Sequence, residues 1–157
     1  MNTATTFKSV IANAHADKSA GSDANTVEYR FWTEEKLRNA DTDQQGHVNN
    51  AIFATFFEAA RIDVVSRPEI ADIREATQIV VVRTVINFRN ELFFPGMVRI
   101  GTRVPRIGRT SLDFAHVLIG PEGVVADSEA TLVLLDRATR KPMTVPEKLR
   151  LHLTGQV

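Results

Sequence analysis

The chain has 157 residues, 43% of them apolar, enough for one domain around one core and too few for two. Its 19 basic and 19 acidic residues balance, which argues against a general electrostatic attraction to nucleic acid or to an anionic membrane. Cysteine is absent, so disulfides, thiolate metal ligands and thiol catalysis are excluded and any nucleophile must be oxygen, nitrogen or water.

No apolar run approaches the ~18 residues that suggest a bilayer span; the densest patches are 79–82 and 132–135. Lys8, Asn13, His15 and Asp17 interrupt any secretory signal, and no Arg precedes Arg30 to suggest a transit peptide, so a cytoplasmic location is expected. Residues 1–25 carry only Phe7, Val10 and Ile11 as sizeable apolar groups. They read as a flexible N-terminal arm, with a short helix through Phe7, Val10, Ile11 and Ala14 as the alternative, ahead of one domain over 26–157.

Between 28 and 39, Tyr29, Phe31 and Leu37 with charges between them suit a half-buried strand. It delivers the chain to a polar turn, Asp41-Thr42-Asp43-Gln44-Gln45-Gly46-His47-Val48-Asn49-Asn50, whose exit opens an apolar helix. That helix holds Ile52, Phe53, Phe56, Phe57, Ala60, Ile62, Val64 and Val65, with Thr55, Glu58 and Arg61 on a narrow polar side, which predicts burial nearly all round. Arg61 follows Glu58 at i+3, which predicts an ion pair. Ser66-Arg67-Pro68 ends the helix, since proline disfavours helical geometry at the residue before it.

After a linker over 69–77, four strand-like runs with period-two alternation follow, and they predict an antiparallel meander. The first places Val80, Val82, Thr84, Ile86 and Phe88 on one face; the second, Val98, Ile100, Thr102 and Val104; the third, Leu112, Phe114, His116 and Leu118; the fourth spans 124–136. Pro95-Gly96, Ile107-Gly108-Arg109-Thr110 and Gly120-Pro121-Glu122-Gly123 are the turns between them. The expected fold is α+β, one long helix against the concave face of a curled antiparallel sheet of five or more strands. One helix cannot cover such a sheet, so a homo-oligomer is expected.

The candidate chemistry lies in the turn, where two carboxylates meet a helix start and its unpaired backbone N–H groups. Position alone favours Asp43 as a cap or turn residue over a reactive one. Asp41 reads as an Asx-type turn residue, Gly46 as a positive-φ position or a point of close ligand approach, and Asn49 as a cap. His47 suits packing or hydrogen bonding, and no second His, Asp or Glu stands at metal-ligand spacing with it, so no metal site is expected. His116 alternates with core residues and reads as an interior or interface histidine.

From Val27 to Leu153 the sequence resembles the hotdog-fold acyl-CoA thioesterases of the 4-hydroxybenzoyl-CoA thioesterase-like family. The resemblance is carried by Asp41-x-Asp43-x-x-Gly46-His47-Val48-Asn49-Asn50, Phe57-Glu58-Ala59-Ala60-Arg61, Pro95-Gly96, Ile107-Gly108-Arg109-Thr110-Ser111 and Val145-Pro146, in that order. It implies a homodimer or homotetramer with active sites at a shared interface, hydrolysing a CoA thioester without a cofactor. Asp43 takes the place of the catalytic carboxylate, as nucleophile or general base, and the Asn50 N–H that of the carbonyl-polarising donor. Gly46, His47, Val48, Asn49 and Phe53 would line the substrate, Phe53 standing where a Tyr is frequent. CoA phosphates would need cations, for which Arg109 with Thr110 and Ser111 is the first choice and Arg89, Arg140 and Lys141 stand behind it. A catalytic carboxylate on the helix, at Glu58, is the alternative assignment. A non-catalytic acyl-thioester-binding module and a hotdog dehydratase are the alternative functions; the dehydratase would need a catalytic Asp and His pair at the usual hydratase spacing, which the sequence lacks.

Overall fold

A computed structural model describes residues 28–156; the arm expected over 1–25 lies outside them. Five strands, β1 (Phe31–Lys36), β2 (Thr77–Phe88), β3 (Met97–Ile107), β4 (Ser111–Gly120) and β5 (Gly123–Asp136), form one antiparallel sheet in the order β1-β3-β4-β5-β2. Across it lies α1 (Asn50–Val65), with two shorter helices, α2 (Ala71–Ala76) and α3 (Glu147–Thr154), near its C-terminal end.

The expected meander holds for β3, β4 and β5 but not for β2, which pairs with β5 at the far edge, from Thr77 opposite Asp136 to Phe88 opposite Ala126. Alternation specifies which face of a strand is buried, not which strand it pairs with. As a result residues 89–96 cross one end of the sheet from edge strand β2 to β3, and this crossing lies against the polar turn. The even-numbered face read for β2 holds at Ile86 and Phe88 but fails before them. A bulge between Val81 and Arg83 leaves Val82 without a partner on β5, and the extra residue inverts the alternation. Ile79 therefore packs on one side of it and Ile86 and Phe88 on the other, all against the core, while Val81 and Val82 are exposed.

α1 buries one stripe, Phe53, Phe56, Phe57, Ala60, Arg61 and Val64, at the 3-1-3-1-3 spacing that a helix presents to a sheet. Ala51, Ala54, Thr55 and Glu58 face outward and Ile62 is 53% exposed, so burial is one-sided rather than all round. Arg61 falls inside the stripe, 7% exposed, and Glu58 outside it. The expected Glu58–Arg61 ion pair is consequently not formed among the described residues.

Beneath the middle of α1, Thr102, His116 and Ser128 are cross-strand neighbours on β3, β4 and β5 and make a buried polar row. It separates a core cluster containing Leu37, Val48, Phe57 and Leu118 from one containing Phe31, Val64, Phe114 and Leu149. Thr102 Oγ1 lies 3.0 Å from His116 Nδ1. The imidazole packs between Phe57 and Phe114, with ring centres 5.5 and 6.0 Å away. His116 Nε2, Ser128 Oγ and Arg61 Nη1 find no protein partner among the described residues.

The linker expected over 69–77 contains α2, and α3 was not expected at all. Its signals are present in the sequence: Pro146 at the N-cap, Leu149 and Leu153 one turn apart and buried, and Gly155 with φ 78° closing the helix.

Candidate active site

Residues 42–48 form a small hairpin closed by a bridge between Thr42 and Val48. Asp43 N–H donates to the His47 carbonyl at 2.8 Å and Gly46 N–H to the Asp43 carbonyl at 3.1 Å. Gly46 has φ 83°, a conformation that costs an L side chain but not glycine. Asp43 Oδ1 accepts from the Gln45 N–H at 2.8 Å and the His47 N–H at 3.3 Å. One carboxylate oxygen is thus held by the loop, and Oδ2 has no hydrogen-bond partner among the described residues.

Main-chain bonds fasten this hairpin to its surroundings. Val48 N–H donates to the Leu92 carbonyl and Asn49 N–H to the Asp41 carbonyl, both at 2.8 Å, and His47 bridges Phe93. Asp41 is buried, and its structural role runs backward along the chain rather than through a forward Asx turn. Its Oδ2 accepts from Arg38 N–H at 2.8 Å, and its Oδ1 from Arg38 Nε at 3.1 Å and Nη2 at 3.0 Å. Burial alone would push the Asp41 carboxyl up, but the hydrogen bonds and charge of Arg38 outweigh it and hold the group below the usual carboxylate range.

At the start of α1, Asn49 Oδ1 accepts from Ala51 N–H and the Asn49 carbonyl from Ile52 N–H, each at 2.9 Å. The cap therefore satisfies the second and third helical N–H groups and leaves the first, on Asn50, without an acceptor among the described residues. Such a donor sits at the positive end of the helix dipole and favours negative charge on an oxygen placed before it.

Asp43 and Asn50 line the same cavity of about 430 Å³. Gln45, His47, Val48 and Phe53 contribute from the turn and helix, Phe88 from the end of β2, and Asn90, Glu91 and Leu92 from the crossing segment. Phe53 meets Phe88 edge to face with ring centres 5.1 Å apart. His47 Nε2 lies 3.4 Å from Glu91 Oε1 on the wall of the cavity. A separate cavity of about 240 Å³ lined by Val65, Ile70, Ile73 and Leu149 offers apolar surface without a carboxylate.

Of the residues singled out from sequence, Asp43, His47, Val48, Asn50 and Phe53 are brought together. Gly46 shapes the turn and Asn49 caps the helix, and neither lines the cavity. Arg109, Thr110 and Ser111 do not reach it within one chain: they lie past the far end of the eleven-residue β3, roughly 30 Å of extended chain away. There the Arg109 carbonyl accepts from Val145 N–H and the Thr110 carbonyl from Leu134 N–H. Arg89 is paired with Asp127 and Arg140 with Gln78, and neither they nor Lys141 line the cavity. Glu58 is outside it too. Sequence reasoning missed Phe88, Asn90, Glu91 and Leu92, whose one signal is their place just before the Pro95-Gly96 turn.

A helix laid across a curled antiparallel sheet, with a carboxylate-bearing turn and the helix start lining one cavity, is the architecture of a hotdog-fold thioester hydrolase. The chain belongs to the thioesterase-like superfamily, whose profile matches residues 37–153. It is 31% identical over 129 residues to the long-chain acyl-CoA thioesterase FadM of Escherichia coli K12, covering 80% of this chain and 98% of that protein. Among solved structures, the probable thioesterase YbaW of Escherichia coli is 30% identical with a TM-score of 0.70, over 79% of this chain and 96% of that one. The PA5185 protein of Pseudomonas aeruginosa is 25% identical with a TM-score of 0.75, over 81% and 91%.

Proposed function

We propose that the protein hydrolyses an acyl-CoA thioester to the free acid and CoA, with Asp43 as the reacting carboxylate and the Asn50 N–H as the oxyanion donor. The observation that carries this is that Asp43 and Asn50 line one cavity, Asp43 held by Oδ1 and the Asn50 N–H left free by the cap. A thioester carbonyl is weakly stabilised by resonance, so a base or nucleophile and one oxyanion donor are a sufficient set, and a donor of this kind is typically worth ~10² to 10³ in rate.

Two routes use this geometry. In the first, Asp43 Oδ2 takes a proton from water as the water oxygen bonds to the carbonyl carbon. The Asn50 N–H holds the resulting oxyanion, and its collapse breaks the C–S bond, releasing CoA with the proton from Asp43. In the second, Oδ2 itself bonds to the carbonyl carbon and expels CoA thiolate, leaving a mixed anhydride that water then cleaves. Single-turnover hydrolysis in ¹⁸O-labelled water tests the second route, since label appearing in Asp43 marks an anhydride that water cleaves at the Asp43 carbonyl carbon.

The working molecule in this reading contains at least two copies joined along β2. This edge is a twelve-residue strand whose outward-facing main-chain groups are unpaired and whose Val81 and Val82 are exposed, whereas the opposite edge, β1, is six residues long and carries Glu34, Glu35 and Lys36. A panel of acyl-CoAs assayed by trapping the released thiol tests the activity. CoA release supports hydrolysis; binding without release supports the non-catalytic module.

A further inference from the structure

The cavity wall carries more negative charge than the reaction requires. Besides Asp43, Glu91 lines it, and neither Lys nor Arg does. The Glu91 side chain is 20% exposed, and the group nearest to it on the wall is the imidazole of His47, with Nε2 3.4 Å from Oε1. The nearest cation in sequence, Arg89, is committed to Asp127. Glu91 also stands apart from the reacting pair. It enters on the crossing segment between β2 and β3, whereas Asp43 and Asn50 come from the hairpin and α1.

Resting on the acyl-CoA reading above, we infer that Glu91 is a specificity-determining residue: it selects against acyl groups that end in a carboxylate and leaves neutral acyl groups as substrates. A fixed charge rejects by leaving a like charge without a counterion in a partly desolvated wall, an effect that attractive contacts elsewhere on the substrate do not remove. The CoA portion is common to all acyl-CoAs, so its own phosphates cancel in any comparison of two acyl groups of equal length. His47 holds the Glu91 carboxylate against the wall and fixes where the charge sits.

The test compares matched pairs, hexanoyl-CoA with adipoyl-CoA and octanoyl-CoA with suberoyl-CoA, which share carbon number and differ by the terminal carboxylate. The wild-type protein is expected to favour the neutral member by about tenfold in kcat/KM at low salt, with the preference shrinking as ionic strength rises. In Glu91→Gln the ratio within each pair is expected to collapse toward one. Because both rates come from one preparation, partial loss of folded protein does not alter the ratio, and the salt dependence of the wild type stands even if the variant does not fold. Equal rates for the two members in the wild type, a preference that salt does not touch, or an unchanged ratio in Glu91→Gln overturns the inference. Failure of the neutral members as well overturns the hydrolase reading itself, and is distinguished by that.

Discussion

Thr102 and His116 face each other across β3 and β4 with Oγ1 and Nδ1 3.0 Å apart, buried under the middle of α1. The groups packed against the ring are Phe57, Phe114, Thr102 and Ser128, and the charge that acts on it is the guanidinium of Arg61. Burial first, and the Arg61 charge second, push the His116 imidazole down to about 3.

That depression makes stability depend on pH with a definite sign. Between the ordinary imidazole value of 6.5 and about 3 the unfolded chain binds a proton at His116 that the folded chain does not, so the folded state loses ground as pH falls through this window. Urea unfolding is expected to show full stability at pH 7 and above, and a loss approaching ~1.4 kcal/mol per pH unit from this group once below pH 6. His116→Gln is expected to flatten the slope between pH 6 and 4.5. An unchanged slope in that variant assigns the dependence to other groups.

Asp43→Asn is expected to keep the fold and abolish turnover. The amide retains an oxygen at the Oδ1 position, where the Gln45 and His47 N–H groups donate, so the hairpin keeps both bonds. What it loses is the base or nucleophile at Oδ2, for a fall of ~10² to 10⁴ in kcat. Thiol-release assays paired with circular dichroism read the two effects separately, and a variant that is folded and active removes Asp43 from the mechanism.

Asn49→Ala is expected to cost about 1 kcal/mol of unfolding free energy, through loss of the bond from Ala51 N–H to Asn49 Oδ1. The same change lets the first turn of α1 fray and so misplaces the Asn50 N–H, lowering kcat more than it raises KM. Asn49→Asp retains the acceptor and is expected to restore both. Steady-state kinetics with thermal melts of the three proteins checks this.

Val82→Lys is expected to dissociate the oligomer. Val82 is 59% exposed and lacks a partner on β5, so the substitution disturbs no pairing within the sheet, while an ammonium in the middle of an edge strand opposes a second copy docking there. Sedimentation velocity at micromolar concentration should show the wild type as a multimer and the variant as a monomer, about tenfold or more weaker in association. A monomeric wild type removes the oligomer from the account.

The sequence makes α1 plain, because its apolar run is long, its cap is an Asn and Pro68 lies just beyond its end. The inward rows of β3 and β4 are equally plain, since Val98, Ile100, Leu112, Phe114 and Leu118 alternate and are buried as that alternation requires. Arg61 was misread because a charged side chain beside Glu58 looks like a surface pair. Only the packed helix shows that its angular position places it inside the stripe. The placement of β2 and the arrival of Glu91 at the cavity share one cause. Both depend on pairing between residues far apart in sequence, Ile86 with Ser128 and His47 with Phe93, and local pattern carries no information about such partners. That Asp43 and Asn50 share one cavity was legible because the turn, the cap and the helix that unite them are contiguous.

The hairpin that carries Asp43 is closed and fastened almost wholly through main-chain groups. Its geometry is therefore indifferent to the side chains at Gln44 and Gln45, both exposed, although Gln45 borders the cavity. Randomising these two positions would rewrite the lip of the pocket while the Asp43 carboxylate keeps its place, making the dipeptide a natural starting point for directed evolution of substrate preference.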